Sequence, residues 1–202
     1  VCAALLPRAA ALSAAAAVTM DADTGETLFA ENADSRLPMA STTKIMTALV
    51  ALGEGDLDRV YTVKKQYAAV EGSSMYLEEG ERLTLRDTLY GLLLSSGNDA
   101  AAAVAGECGG ERAFVDKMNA KARELGLTDT RFENPSGLPS DGHYTTAREL
   151  AKITAAALRD PVFREIVSTK TCTAAGRTLV NHNRLLSLYE DAIGVKTGFT
   201  RA

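Results

Sequence analysis

The sequence has 202 residues, 46% of them hydrophobic and 24% charged, with a formal net charge of −4. That length suits one large domain or two small ones, and such a chain buries roughly 70% of its unfolded surface. The composition favours a soluble globular domain over disorder, and an acidic chain with no basic cluster longer than Lys64-Lys65 argues against a nucleic-acid partner.

Residues 1–17, VCAALLPRAAALSAAAA, are small and apolar, with Arg8 as their only charge. The run is too short and interrupted to span a membrane as a helix. Residues 1–15 read as the tail of a secretory signal peptide, with alanine-rich cleavage options near residues 9 to 15; the other reading is a simple N-terminal arm. The expectation is therefore an exported, extracytoplasmic protein whose domain spans residues 16–202. Cys2 falls in the leading segment, and Cys108 and Cys172 are expected to be unpaired small apolar residues.

Next, AAVTMDADTGETLFAEN gives two short strand-like runs around Asp23-Thr24-Gly25, the pattern of a hairpin. PMASTTKIMTALVAL, residues 38–52, predicts a helix from about residue 41 that is apolar nearly all round, hence buried. RVYTV, residues 59–63, predicts a strand. TLRDTLYGLLL begins with a capping box, Thr84 to Asp87, and spaces Leu85, Leu89 and Leu92 as in a helix. NDAAAAVAGE predicts a tightly packed small-residue helix, and ERAFVDKMNAKARELG an amphipathic helix ending at Gly126. ENPSGLPSDGHY is a loop by composition. TAREL opens a helix with a second capping box, Thr146 to Glu149, and Asp160-Pro161 starts another. The last stretch, through AIGVKTGF, alternates Ile193, Val195, Thr197 and Phe199 as a strand. Strands at both ends with helices between predict an α+β fold, with a sheet of terminal segments and an inserted helical block.

Three stretches carry chemistry. Ser41 and Lys44 lie three apart, on one helix face. A buried lysine has a lowered pKa, more so beside a second cation, and a neutral lysine can take the serine proton. The helix N-terminus can also hold a developing oxyanion. On its own, Ser-x-x-Lys is a weak signal and reads first as a capped helix with a snorkelling lysine. The second stretch, LLSSGNDAA, puts Ser96, Gly97 and Asn98 in a turn between apolar helices, where they are either caps or a proton relay and an amide binder. In the third, GVKTGF, Lys196 supplies positive charge for a carboxylate and for depressing Lys44, and Gly198 admits an extended substrate; the plainer reading is a lysine-protected edge strand. Strict alternation puts Lys196 and Thr197 on opposite faces, so both serve one cleft only from an edge whose rim faces the site.

Ser-x-x-Lys, Ser-Gly-Asn and Lys-Thr-Gly, in that order, resemble the motifs of the serine penicillin-binding proteins and serine β-lactamases. The Ser-Gly-Asn form is similar to that of the low-molecular-weight D-alanyl-D-alanine carboxypeptidases. So are EGSSMYLEEGERLTLRDTLYGLLLSSGNDAAAAVA, MNAKARELGLTDTRFENPSGLPSDGHYTTAREL and GRTLVNHNRLL, so the resemblance covers nearly all of residues 16–202. It implies the transpeptidase fold of that family and attack by Ser41 on the bond between the two terminal D-alanines of a peptidoglycan stem peptide. By the same resemblance, Lys44 is the general base and Ser96 passes the proton to the leaving D-alanine. Asn98 orients the substrate, Lys196 and Thr197 bind its carboxylate with Gly198 beside them, and the backbone N–H groups of Ser41 and Phe199 form the oxyanion hole. β-Lactam antibiotics would mimic the dipeptide. The reaction implied uses no metal or other cofactor, and His143 and His182 read as isolated structural residues.

The chain stops at Ala202, four residues past Gly198. Family members usually continue with two central strands and a final helix. The expectation is a domain truncated after the Lys-Thr-Gly strand, with a gap in its sheet and little or no activity as these 202 residues alone. Any membrane association would come from segments beyond it. The nearest rival is a serine β-lactamase, which needs a carboxylate to hold the deacylating water. ENPSGLPSDGHY offers Glu133 and Asp141 but does not resemble the class A loop that carries that glutamate. The rival from another class is a non-catalytic cell-wall-binding protein, which penicillin labelling that survives Ser41→Ala would favour.

Overall fold

The computed structural model describes residues 13–200. The signal-peptide expectation for residues 1–15, except its last three positions, lies outside the described residues, as does Cys2.

The N-terminal hairpin forms as expected. β1 (Ala17–Met20) pairs antiparallel with β2 (Thr27–Glu31), Ala17 opposite Glu31, with an irregularity at Thr19/Met20. Its turn is built by Asp21, whose Oδ1 accepts from the N–H of Asp23 and from both the N–H and hydroxyl of Thr24. A short carboxylate satisfying backbone donors two and three residues on is how aspartate makes turns.

A 3-10 turn, Ala40–Thr43, runs into α1 (Lys44–Leu52), in which only Leu49 and Leu52 are not fully buried. β3 (Val60–Thr62), α2 (Lys65–Ala68) and β4 (Arg82–Thr84) follow, with Tyr61 opposite Leu83 in the antiparallel β3–β4 pair. α3 (Leu85–Leu93) opens with the predicted capping box: Thr84 accepts from the Asp87 N–H, and Asp87 accepts from the Thr84 N–H. α4 (Asn98–Glu107) is the small-residue helix. A Cβ at Gly106 would lie 2.3 Å from the Tyr67 ring, so the missing side chain lets α2 pack closely. α5 (Glu111–Glu124), α6 (Ala147–Ala157) and α7 (Pro161–Ser168) complete the large helices, and α7 is capped by Asp160 as predicted. The antiparallel hairpin β5 (Thr171–Ala174) and β6 (Arg177–Val180) and the short α8 (Leu185–Leu188) end the described elements.

α1 is the axle of the molecule, touched by α3, α4, α5, α6 and α7. This explains its apolar circumference, since a helix enclosed on every side has no polar face to present. Cys108 and Cys172 are free thiols, as expected.

Two element expectations need correction. The second capping box is half-formed: Thr146 accepts from the Glu149 N–H, but the Glu149 carboxylate turns away to accept from the Thr128 and Asp129 N–H groups and the Thr130 hydroxyl. Three donors from a neighbouring loop outcompete one local N–H. Residues 193–199 form no strand, and the described strands make three separate two-stranded sheets rather than one terminal sheet. Alternation shows which residues share a face, but a strand exists only where a neighbour takes its backbone hydrogen bonds.

Candidate active site

Ser41 sits in the 3-10 turn and Lys44 is the first residue of α1. The Lys44 side chain is 0% exposed, yet it is not stranded. Its Nζ contacts Ser41 Oγ at 3.1 Å, Asn98 Oδ1 at 2.8 Å and the Ser136 carbonyl at 2.6 Å. Burial pushes Lys44 down to about 7, the Lys196 charge pushes the same way, and Asp99 opposes both. A neutral amine has two N–H bonds and one lone pair. Asn98 and Ser136 supply two acceptors that cannot donate to it from those atoms, so the lone pair is left facing the serine hydroxyl.

A cleft of about 280 Å³ opens above this pair, lined by Ser41, Ser96, Asn98, Thr197, Gly198 and Phe199 among others. Six of the eight sequence-predicted site residues thus share one cavity wall. The other two are Lys44, bonded beneath the serine, and Lys196. Burial holds Lys196 down to about 8, and its Nζ donates to the Thr197 carbonyl at 2.8 Å. Thr197, Gly198 and Phe199 line the cleft one after another, so strict alternation does not govern this segment.

Several side chains are arranged differently from the expectation. Ser96 makes no hydrogen bond to Ser41 or Lys44; it is buried at a positive φ of 61°. Ala40, next to Ser41, has φ 45°, so both nucleophile and relay candidate border backbone that non-glycine residues rarely adopt. Asn98 spends its Oδ1 on Lys44 and one Nδ2 proton on the Glu71 carbonyl at 2.7 Å, leaving one N–H for a ligand. Gly198 makes its close approach to the chain itself: a Cβ there would lie 3.3 Å from the Met39 carbonyl and 3.4 Å from Ala40 Cβ.

The histidines are not isolated. His143 Nδ1 accepts from the Glu133 N–H at 3.0 Å, so Nε2 carries the proton and donates to Thr43 Oγ1 at 2.7 Å. Burial lowers His143 to about 4, which keeps this link neutral. His182 lines the cleft, and burial, then Lys196, lower its pKa.

Two parts of the site escaped the sequence reading. The wall segment 71–77 is strapped to the start of α4 by Asp99, which is 1% exposed and accepts from the Ser74 hydroxyl and the Met75, Leu77 and Ala100 N–H groups. The loop 134–138 supplies the Ser136 carbonyl and lines the cleft with Ser136, Gly137 and Leu138. A backbone carbonyl has no side-chain signature, and ENPSGLPSDGHY announced only a loop.

A sequence profile described as D-alanyl-D-alanine carboxypeptidase matches residues 4–202. The Bacillus subtilis D-alanyl-D-alanine carboxypeptidase DacF is 41% identical over 199 residues, 93% of this chain and 51% of its own length. A D-alanyl-D-alanine carboxypeptidase of Streptomyces sp. strain K15 is 39% identical, over 93% of this chain and 72% of its own length. The chain therefore spans about half the length of the Bacillus relative. The crystal structure of a D-alanyl-D-alanine carboxypeptidase from Mycobacterium tuberculosis superposes with a TM-score of 0.89 at 38% identity, covering 93% of this chain and 73% of that one. The Streptomyces K15 DD-transpeptidase superposes at 0.85 and 39% identity, covering 91% and 79%.

Proposed function

The chain belongs to the D-alanyl-D-alanine carboxypeptidase family, and on that footing we propose that it removes the terminal D-alanine from peptidoglycan stem peptides through an acyl-enzyme on Ser41. The observation that carries this reading is the amine of Lys44, fully enclosed, held near pH 7 and 3.1 Å from the Ser41 hydroxyl.

The steps follow from the groups in place. Lys44 takes the Ser41 proton as Oγ adds to the carbonyl carbon of the penultimate D-alanine. The oxyanion is received by the N–H groups of Ser41, at the start of the helical segment, and of Phe199. Breaking the C–N bond needs a proton on the departing nitrogen. Ser96, buried on the same wall, relays it from the Lys44 ammonium by way of the departing nitrogen. Thr197 holds the terminal carboxylate with the positive charge of Lys196 behind it, the free Nδ2 proton of Asn98 meets a substrate carbonyl, and Gly198 keeps the wall beside Ser41 close-packed. Water then adds to the ester, and Ser41 leaves with its proton restored.

Residues 16–202 belong to the catalytic domain in this reading. Its substrate lies outside the cytoplasmic membrane, so the enzyme is extracytoplasmic. No helix among the described residues is long and apolar enough to cross a membrane. β-Lactams bind as dipeptide mimics and acylate Ser41.

Covalent labelling with a fluorescent penicillin, together with D-alanine release from a D-Ala-D-Ala peptide, tests the proposal. In the protein at its full natural length, slowly reversed labelling that Ser41→Ala abolishes is expected. Label retained by Ser41→Ala, or turnover of penicillin within seconds, would refute it.

A further inference from the structure

The loop that reaches Lys44 is organised around one side chain. Asn134 Oδ1 accepts from the Gly137 N–H at 2.7 Å, the Leu138 N–H at 3.1 Å, the Ser136 N–H at 3.2 Å and the Ser136 hydroxyl at 3.1 Å. Its Nδ2 donates to the Leu138 carbonyl at 2.9 Å. Among the described residues, no side chain outside the turn bonds these backbone donors, and their one further contact is a long one, 3.4 Å, from the Leu138 N–H to Ser136 Oγ. With its donors gathered on Asn134, the turn points two carbonyls at α1. Pro135 O accepts from Thr47 Oγ1 at 2.7 Å and Ser136 O from Lys44 Nζ at 2.6 Å. The turn is also pressed against the backbone before the nucleophile: a Cβ at Gly137 would stand 1.9 Å from the Ala40 carbonyl.

We propose that Asn134 is a positioning residue for the reaction, holding the turn that aims the Ser136 carbonyl at the Lys44 amine. This rests on the reading of Lys44 as the base. The carbonyl fixes one N–H of the amine, which fixes the lone pair toward Ser41. It also favours the ammonium, since an acceptor stabilises the charged form. Asn134 thereby acts on both the direction and the proton affinity of the base. The other charges acting on Lys44 are Lys196 and Asp99. The loop itself carries Glu133, Asp141 and the neutral His143. The Glu133 carboxylate is occupied by the Ser140 hydroxyl, the Gly142 N–H and the Arg131 guanidinium.

Two substitutions separate this role from simple support of the fold. Asn134→Ala frees the turn, so Lys44 loses an acceptor and its aim. The acid limb of the acylation profile should move to lower pH by about half a unit, while the plateau rate falls roughly tenfold. Asn134→Asp keeps the accepting oxygen and adds a negative charge near the amine. Its plateau should stay closer to wild type while its acid limb moves to higher pH by about half a unit. The readouts are the rate of acylation by a fluorescent penicillin between about pH 5 and 9, and the titration of Lys44 Nζ followed by nitrogen NMR on the same proteins. Displacements of opposite sign support the proposal. Displacements of the same sign, or titrations and rates indistinguishable from wild type in both variants, overturn it. If Asn134→Ala does not fold, the near-isosteric Asn134→Asp decides alone, by whether its limb rises. If the wild-type protein at its full natural length is never acylated, the carboxypeptidase reading fails, and the NMR titration still decides the role of Asn134.

Discussion

Lys44 is the residue whose burial has the largest measurable consequence. Its ordinary pKa is 10.5 and in the fold it is about 7. Between those values the unfolded chain holds a proton that the folded chain does not. Lys44's contribution to stability therefore grows as pH rises through that window, and below about 7 the fold bears the full cost of an enclosed charge. Lys44→Met removes the charge but leaves Asn98 Oδ1 and Ser136 O without a donor. Relative to wild type, the variant should gain about 2–3 kcal/mol more at pH 6 than at pH 9, while losing penicillin acylation by a factor of about 1,000. Urea unfolding at the two pH values measures the first effect; equal differences at both would show that Lys44 keeps an ordinary proton affinity in the fold.

Among the elements, the 71–77 wall depends most on one side chain. Asp99 gathers two of its backbone N–H groups and the Ser74 hydroxyl in a site closed to water. Asp99→Ala strands those donors, at a cost of about 2–4 kcal/mol. Amide exchange should accelerate at Met75 and Leu77 before it does in α5, whose N–H groups are satisfied within their own helix. Unchanged protection at Met75 and Leu77 would contradict the strap. This network also shows what the sequence could reveal. Local periodicity and caps, such as Leu85-Leu89-Leu92 behind Thr84, were legible because their partners are a few residues away. The second box misled because the Glu149 carboxylate found donors about twenty residues earlier in the chain. The Ser-x-x-Lys pair was legible as two side chains on one face, and it read as chemistry only together with Ser-Gly-Asn and Lys-Thr-Gly. The Ser136 carbonyl and its support by Asn134 were not, because backbone acceptors look alike in every sequence.

For the whole molecule, the core is continuous from the β3–β4 hairpin through α1 to α7, so its unfolding should be cooperative. Cys108 reports on this. It is 5% exposed, and burial pushes its thiol up to about 11. In a chain whose other two cysteines are replaced by serine, thiol labelling should be slow and track the denaturant midpoint of circular dichroism. Labelling that precedes the midpoint would place the α4–α5 junction outside the cooperative unit. The Lys-Thr-Gly segment belongs to this scale too. Its alternation from residue 193 onward read as a strand, yet no strand forms there, because a strand depends on distant backbone to pair with rather than on the segment's own side chains.

The enclosure of α1 has a consequence for engineering. Its only partly open positions, Leu49 and Leu52, lie more than a turn beyond Lys44, so that helix offers no place beside the amine from which its basicity could be altered gradually. Variation must instead enter through parts that touch the amine from elsewhere: the 134–138 turn, the head of α4 and the approach of Lys196. A chimera that imports the 133–143 stretch of a relative should therefore inherit that relative's acid tolerance, although every residue of α1 stays the same.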